Sequence, residues 1–161
     1  TLFEKWEKLD NNKILFIGDI KHSRAVTSHL QLAPILNYQI GFCGPQEFAP
    51  PKNIAPKFTS FEKLSDGLKW ADAVMALRVQ KERHDGSLFD AINYRKNFGL
   101  NSESIKSISA NAFIMHPGPI NYGIEMEEGV LQDSRSLILQ QVENGVFLRE
   151  AIIRNLFKEA N

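Results

Sequence analysis

Apolar residues along the chain fall into short unbroken runs, separated by longer stretches of mixed polarity. KILFI (13–17), QIGFC (39–43), AVMAL (73–77) and AFIM (112–115) are each four or five residues long. That is the length and density of strands buried on both faces of a parallel sheet. Helical patterns lie between them. Ser23 is placed to cap a helix running to about Leu36, disturbed near Pro34. Lys57 to Thr59 reads as a short strand, and Ser60 as the cap of a helix carrying Phe61, Leu64 and Leu68. Ser87 to Lys96 and Ser102 to Ser107 read as helical. Asp133 or Ser134 opens a helix through Glu143, Asn144-Gly145 breaks it, and Val146 to Phe157 forms an apolar closing helix. At the start, Leu2, Phe3, Trp6 and Leu9 share one helical face. Gly44 to Pro56 holds four prolines and reads as an irregular surface excursion. Strands alternating with helices predict an α/β fold: a doubly wound parallel sheet with helices on both faces, Rossmann-like.

Ligands of such sheets sit beyond the carboxyl ends of the strands, where three segments stand out: GDIKHSR (18–24), RVQKER (78–83) and HPGPINYG (116–123). In the first, Lys21, His22 and Arg24 crowd a helix start, where the macrodipole disfavours cations and an anionic guest would offset the cost. A solvated basic turn partly neutralised by Asp19 is the plainer alternative. In the second, extended chain projects Arg78, Gln80 and Glu82 on one side. Arg78 offers a planar fork for a carboxylate or phosphate, Gln80 a second donor, and Glu82 an acceptor able to hold the guanidinium. The same spacing suits a solvated, salt-bridged loop. In the third, Pro117 and Pro119 stiffen a loop that offers carbonyl oxygens to an amine or amide, while Gly118 lets a ligand approach. His116 invites a general-base role, but a lone histidine at a strand end is more often a hydrogen-bonded structural residue. The long polar stretch from Gln80 to Leu100 has the character of a segment that closes over a ligand.

Composition narrows the field. The 161 residues suffice for one domain with its own core, and 19 basic against 19 acidic side chains argue against a nucleic-acid-binding surface. The single cysteine, Cys43, lies in an apolar run and reads as a buried structural thiol in a reducing, cytoplasmic setting. No run approaches the roughly 20 apolar residues of a membrane span, and the charged start TLFEKWEKLD lacks a signal-peptide pattern. The start without Met, in mid-helix, fits a polypeptide that extends further upstream. Dinucleotide, P-loop, zinc and nucleophile-elbow motifs are missing, so neither cofactor nor metal is expected. A receiver-like signalling domain would place aspartate at a central strand end, where Arg78 stands.

Taken in order, GDIKHSR, LRVQKERHD, HPGPIN and NGVFLREAII resemble motifs of the second half of the aspartate carbamoyltransferase catalytic chain, and the match spans nearly the whole sequence. Ornithine enzymes typically carry a cysteine in the loop that reads HPGP here, so the resemblance favours aspartate. It implies transfer of the carbamoyl group from carbamoyl phosphate to the amino group of L-aspartate, the committed step toward pyrimidines, without metal or covalent intermediate. Residues 1–161 would be the aspartate-binding domain, with 1–10 and 146–161 as helices joining it to a carbamoyl phosphate domain. The Ser-Thr-Arg-Thr and His-Pro-Thr-Gln segments of that domain are not found, so the chain alone should be inactive. By motif position, Arg24 and Lys21 would meet the α-carboxylate, and Arg78 and Gln80 the side-chain carboxylate. Glu82 would orient Arg78, His116 would support its loop, and the Gly118 and Pro119 carbonyls would hold the amine and the carbamoyl NH₂. Tyr122 stands where the family commonly has arginine. A homotrimer, with regulatory or dihydroorotase chains as further partners, is the family's arrangement. The alternative is a non-catalytic α/β binder of a small dicarboxylate.

Overall fold

The computed structural model describes residues 1–6, 9–79 and 90–159. Five strands, β1 (Lys13–Ile17), β2 (Gln39–Cys43), β3 (Thr59–Phe61), β4 (Ala73–Ala76) and β5 (Phe113–Met115), form one sheet in the order β3-β2-β1-β4-β5. Every pairing is parallel. The helices are α1 (Leu2–Lys5), α2 (Arg24–Leu36), α3 (Leu64–Trp70), α4 (Ala91–Phe98) and α5 (Ile138–Glu159). The predicted doubly wound architecture is present.

Alternation along β1 assigns the two faces. Ile14 and Phe16 pack with Ile40, Phe42 and Met75 under Val26 and Ala33 of α2 and Leu2 of α1. Leu15 and Ile17 pack with Val74, Ala76 and Ile114 under Leu68 of α3 and Ile138 of α5. Burying both faces is what makes these strands read as continuous apolar runs. The chain leaves β1 for β2 and β3 on one side, then crosses to β4 and β5 on the other. The carboxyl ends of β1 and β4 therefore flank the switch point where crevices open in such sheets.

The sequence expectations miss at several boundaries. The first helix stops at Lys5, and Trp6 is extended at φ −115° and ψ 128°. β3 begins at Thr59, so Ser60 lies in a strand and the cap of α3 is Lys63. The helix expected from Ser87 begins at Ala91, capped by Asp90, whose carboxylate accepts the Asn93 N–H at 2.9 Å. Asn144-Gly145 does not break a helix: α5 runs 22 residues straight through it. A mid-helix glycine costs only about 1 kcal/mol and removes no hydrogen bond. Asn144 is moreover tied down, donating to Thr1 Oγ1 at 3.0 Å and Glu4 Oε2 at 2.8 Å. Beyond Ile138 the helix carries exposed Leu139, Val142, Val146, Phe147, Ile152, Ile153 and Leu156.

The segment leading into α5 is fixed by Arg135, which donates to the carbonyls of Ile108 (2.9 Å) and Ile105 (3.2 Å) and to both Asp133 oxygens at 2.8 Å. Hydrogen bonding from Arg135 outweighs desolvation and holds the Asp133 carboxyl down at about 2, below its ordinary 3.8. A depressed folded-state pKa contributes stability that is full above the unfolded value and lost as pH falls through the folded one. Arg135→Ala should therefore lower the unfolding free energy at neutral pH by about 2 kcal/mol. The deficit relative to the parent should shrink as pH falls from about 4 toward 2, which denaturant titrations at several pH values would measure.

Candidate functional site

The turn after β1 is built around a buried carboxylate. Asp19, 1% exposed, accepts the His22 backbone N–H at 3.1 Å, and both its oxygens lie 2.9 Å from His22 Nδ1. This folds Asp19 to His22 into a compact loop that delivers Ser23 as N-cap of α2 and Arg24 as its first helical residue. Ser23 makes no side-chain capping bond, and the first turn carries no acidic residue. The N–H groups at this helix end thus face outward without a carboxylate of their own helix, an arrangement that favours an anion.

Gly18 lets the chain turn directly after β1. Its φ is +107°, and a Cβ there would lie 2.5 Å from the Tyr94 hydroxyl. Tyr94, on α4, is buried and packs against Phe48 and Phe98 with ring centroids 6.0 and 5.7 Å apart. So the described part of the expected mobile segment contains the helix α4 (Ala91–Phe98), whose Tyr94 packs against the turn after β1. Residues 80–89, with Gln80 and Glu82, lie outside the described residues.

Arg78 lies two residues beyond β4 and is partly buried between Leu77 and Val79, which are 1% and 0% exposed. After β5 the chain enters the loop His116 to Pro119. His116 is 2% exposed; its own N–H donates to Gln141 Oε1 of α5 at 3.0 Å, and its Nδ1 accepts the Gly118 N–H at 2.8 Å. An Nδ1 that accepts leaves the ring proton on Nε2, which faces the buried Glu125 carboxylate at 3.6 Å. His116 is thus a structural strut beneath the loop. Gly118 sits at φ +68° with open space on its Cβ side, and the Gly118-Pro119 peptide is cis.

These elements enclose one cavity of about 380 Å³, lined by Ser23, Arg24, Ala25, Arg78, Pro117, Gly118 and Pro119. Four of the residues singled out in the sequence, Arg24, Arg78, Gly118 and Pro119, therefore meet around a single space. No acidic side chain is among these described lining residues. Lys21 is exposed and outside the lining set; His116 lines a neighbouring cavity of about 220 Å³ with Gln141 and Arg149. Tyr122, half exposed, lines neither.

Sequence reasoning missed the supports: Tyr94, Asn121, Glu125 and Gln141. Their local sequence carries no signal of this role, since each acquires its partner through tertiary contact. Cys43 is buried, and burial, with a smaller contribution from Asp66, pushes its thiol up to about 12. It should resist thiolate-directed alkylation at pH 8 in the native protein and react at least about a hundredfold faster once unfolded; fast native labelling would contradict this. Among the described residues no cluster of histidine, cysteine and carboxylate side chains is arranged to hold a metal, and no helix is long and apolar enough to cross a membrane.

Comparison with known proteins gives a consistent result. Residues 10–156 match the family described as aspartate/ornithine carbamoyltransferase, Asp/Orn binding domain. The aspartate carbamoyltransferase catalytic subunit of Myxococcus xanthus is 40% identical over 156 residues, covering 95% of this chain and 52% of the relative. That of Staphylococcus carnosus is 34% identical over 160 residues, covering 99% and 52%. The chain spans about half the length of the curated relatives it matches. Among solved structures, aspartate transcarbamoylase from Trypanosoma cruzi in complex with N-(phosphonacetyl)-L-aspartic acid superposes with a TM-score of 0.79 at 24% identity, over 94% of this chain and 51% of that one. Ornithine carbamoyltransferase from Pyrococcus furiosus gives 0.77 at 18% identity, over 94% and 51%. At these identities the structural matches establish the shared fold.

Proposed function

The chain belongs to the aspartate/ornithine carbamoyltransferase family, matching its Asp/Orn binding domain, and on that basis we propose that it is the aspartate-binding half of an aspartate carbamoyltransferase. The observation that carries this reading is the single cavity shared by Arg24, Arg78 and the Pro117 to Pro119 loop at the amino end of α2.

Two guanidinium groups and a helix N-terminus around one space suit a small dicarboxylate. Arg24 receives the α-carboxylate, with Lys21 adding to the local positive potential. Arg78 receives the side-chain carboxylate, with Gln80 as the second donor and Glu82 as the support for Arg78 that the family resemblance implies. The carbonyls of Gly118 and Pro119 accept hydrogen bonds from the amino group and the carbamoyl NH₂. The chemistry then needs little beyond alignment: the neutral amine attacks the carbamoyl carbon, phosphate departs with the bonding electron pair, and the amine loses a proton. Holding the nucleophile in line is where positioning supplies most of its effect. Groups that stabilise the developing charge on the carbamoyl oxygen and the phosphate belong to the other half of the family's chain. The exposed apolar side of α5 and the N-terminal residues join the two halves. In the cell the complete enzyme works in the cytoplasm as a homotrimer that feeds pyrimidine synthesis.

The complete enzyme, supplied with carbamoyl phosphate and either L-aspartate or L-ornithine, should form carbamoyl aspartate. It should discriminate against ornithine by at least about a hundredfold, because the ornithine ammonium would be brought toward Arg78. Preferential carbamoylation of ornithine would overturn the assignment.

A further inference from the structure

A partly buried chain of polar contacts connects the two sides of the cavity, and it runs through Asn121, which does not line the cavity. Asn121 lies two positions beyond Pro119. Its side-chain amide donates to the backbone carbonyl of Val79, the residue directly after Arg78, at 3.0 Å. Its backbone N–H donates to Glu125 Oε1 at 2.6 Å. The same oxygen faces His116 Nε2 at 3.6 Å, and His116 Nδ1 holds the Gly118 N–H at 2.8 Å. His116, Glu125 and Val79 are each at most 2% exposed. Glu125 Oε2 makes no hydrogen bond among the described residues.

We infer that Asn121 is a positioning residue: it clasps the loop bearing Gly118 and Pro119 to the strand end bearing Arg78, and so sets the spacing between the two halves of the amino-acid site. The contacts are directional. Asn121 offers the Val79 carbonyl an N–H donor, and an aspartate of the same shape would bring an acceptor to an acceptor. Because Val79 is fully buried, its carbonyl has little access to water as a substitute. Loss of the clasp leaves the loop free to shift relative to Arg78, and a shift of about 1 Å at a site that works by alignment costs on the order of a hundredfold. Glu125 supports the clasp by holding the Asn121 N–H and facing the ring that braces Gly118.

This inference rests on the proposal that the cavity receives aspartate. In the complete enzyme, Asn121→Asp and Asn121→Ala should raise the KM for L-aspartate about ten- to a hundredfold and the KM for carbamoyl phosphate by a much smaller factor, since only the carbamoyl NH₂ of that substrate meets the clasped loop. Asn121→Asp should be at least as impaired as Asn121→Ala despite its closer shape, and Asn121→Gln, which retains a donor, should recover part of the loss. A role confined to stability would lower the melting temperature of the variants with the aspartate KM unchanged, and that result overturns the clasp. A parent enzyme that saturates with carbamoyl phosphate and carbamoylates another amine, but not aspartate, overturns the aspartate reading instead, so the two failures are distinguishable.

Discussion

Arg78→Ala in the complete enzyme is expected to lower kcat/KM for L-aspartate by about two orders of magnitude. The side chain sits partly buried at the end of a fully buried strand, and it lines the cavity with Arg24 and the Pro117 to Pro119 loop. Removing one partner of a partly desolvated, charge-assisted pair costs about 3 kcal/mol, which converts to a factor of about 150. The loss should fall on aspartate, since Arg78 is proposed to meet no part of carbamoyl phosphate. Arg78→Lys keeps the charge but loses the planar fork and should recover only part of the deficit. Arg24→Ala should be weaker, because Arg24 is exposed at the helix end and water screens its interaction. If kcat/KM for aspartate is unchanged in Arg78→Ala, the side-chain carboxylate is read by another residue.

Gly18→Ala is expected to have the largest effect on stability. A residue with a side chain at φ +107° is strained by about 1 to 3 kcal/mol, and the new methyl group would stand 2.5 Å from the Tyr94 hydroxyl. Overpacking a filled site adds about 1 to 3 kcal/mol, so a total near 4 kcal/mol and a fall in melting temperature of roughly 8 to 16 °C are expected. The two contributions can be separated. Tyr94→Phe removes the hydroxyl and leaves the ring Cζ at an ordinary 3.7 Å from the methyl position. The double variant should recover the steric part of the loss and leave the backbone strain. If Gly18→Ala unfolds with the parent's midpoint, the turn after β1 has another way to close.

The fold was legible because the strands are buried on both faces. KILFI, QIGFC and AVMAL admit few other structures at such short length, and all three lie where the runs place them. Boundaries failed where a local signal was set against tertiary packing. Ser60 is a good cap in isolation, yet it pairs with Phe42 in the sheet. Asn144-Gly145 is a good stop, yet α5 continues because Asn144 is held by Thr1 and Glu4. Arg24, Arg78, Gly118 and Pro119 could be grouped from the sequence because they lie in segments that follow strands, and a parallel sheet gathers strand ends at one edge; all four line one cavity. Asp19, Tyr94, Asn121 and Glu125 could not be placed, because the role of a buried polar group is set by a partner that only the fold supplies. For His116 the plainer reading of a hydrogen-bonded strand end agrees with a buried ring whose Nδ1 accepts the Gly118 N–H.

Two further clefts among the described residues are large enough to take a small molecule. One of about 500 Å³ lies between Tyr38 and Phe58 at the opposite edge of the sheet, and one of about 460 Å³ lies between Lys63 and Lys96. The most direct measurement is a structure of the complete enzyme bound to N-(phosphonacetyl)-L-aspartate. One carboxylate is expected on Arg24 at the start of α2, the other on Arg78, and the amide of the ligand against the carbonyls of Gly118 and Pro119. Aspartyl carboxylates bound in either other cleft, or bound without contact to Arg78, would contradict this placement.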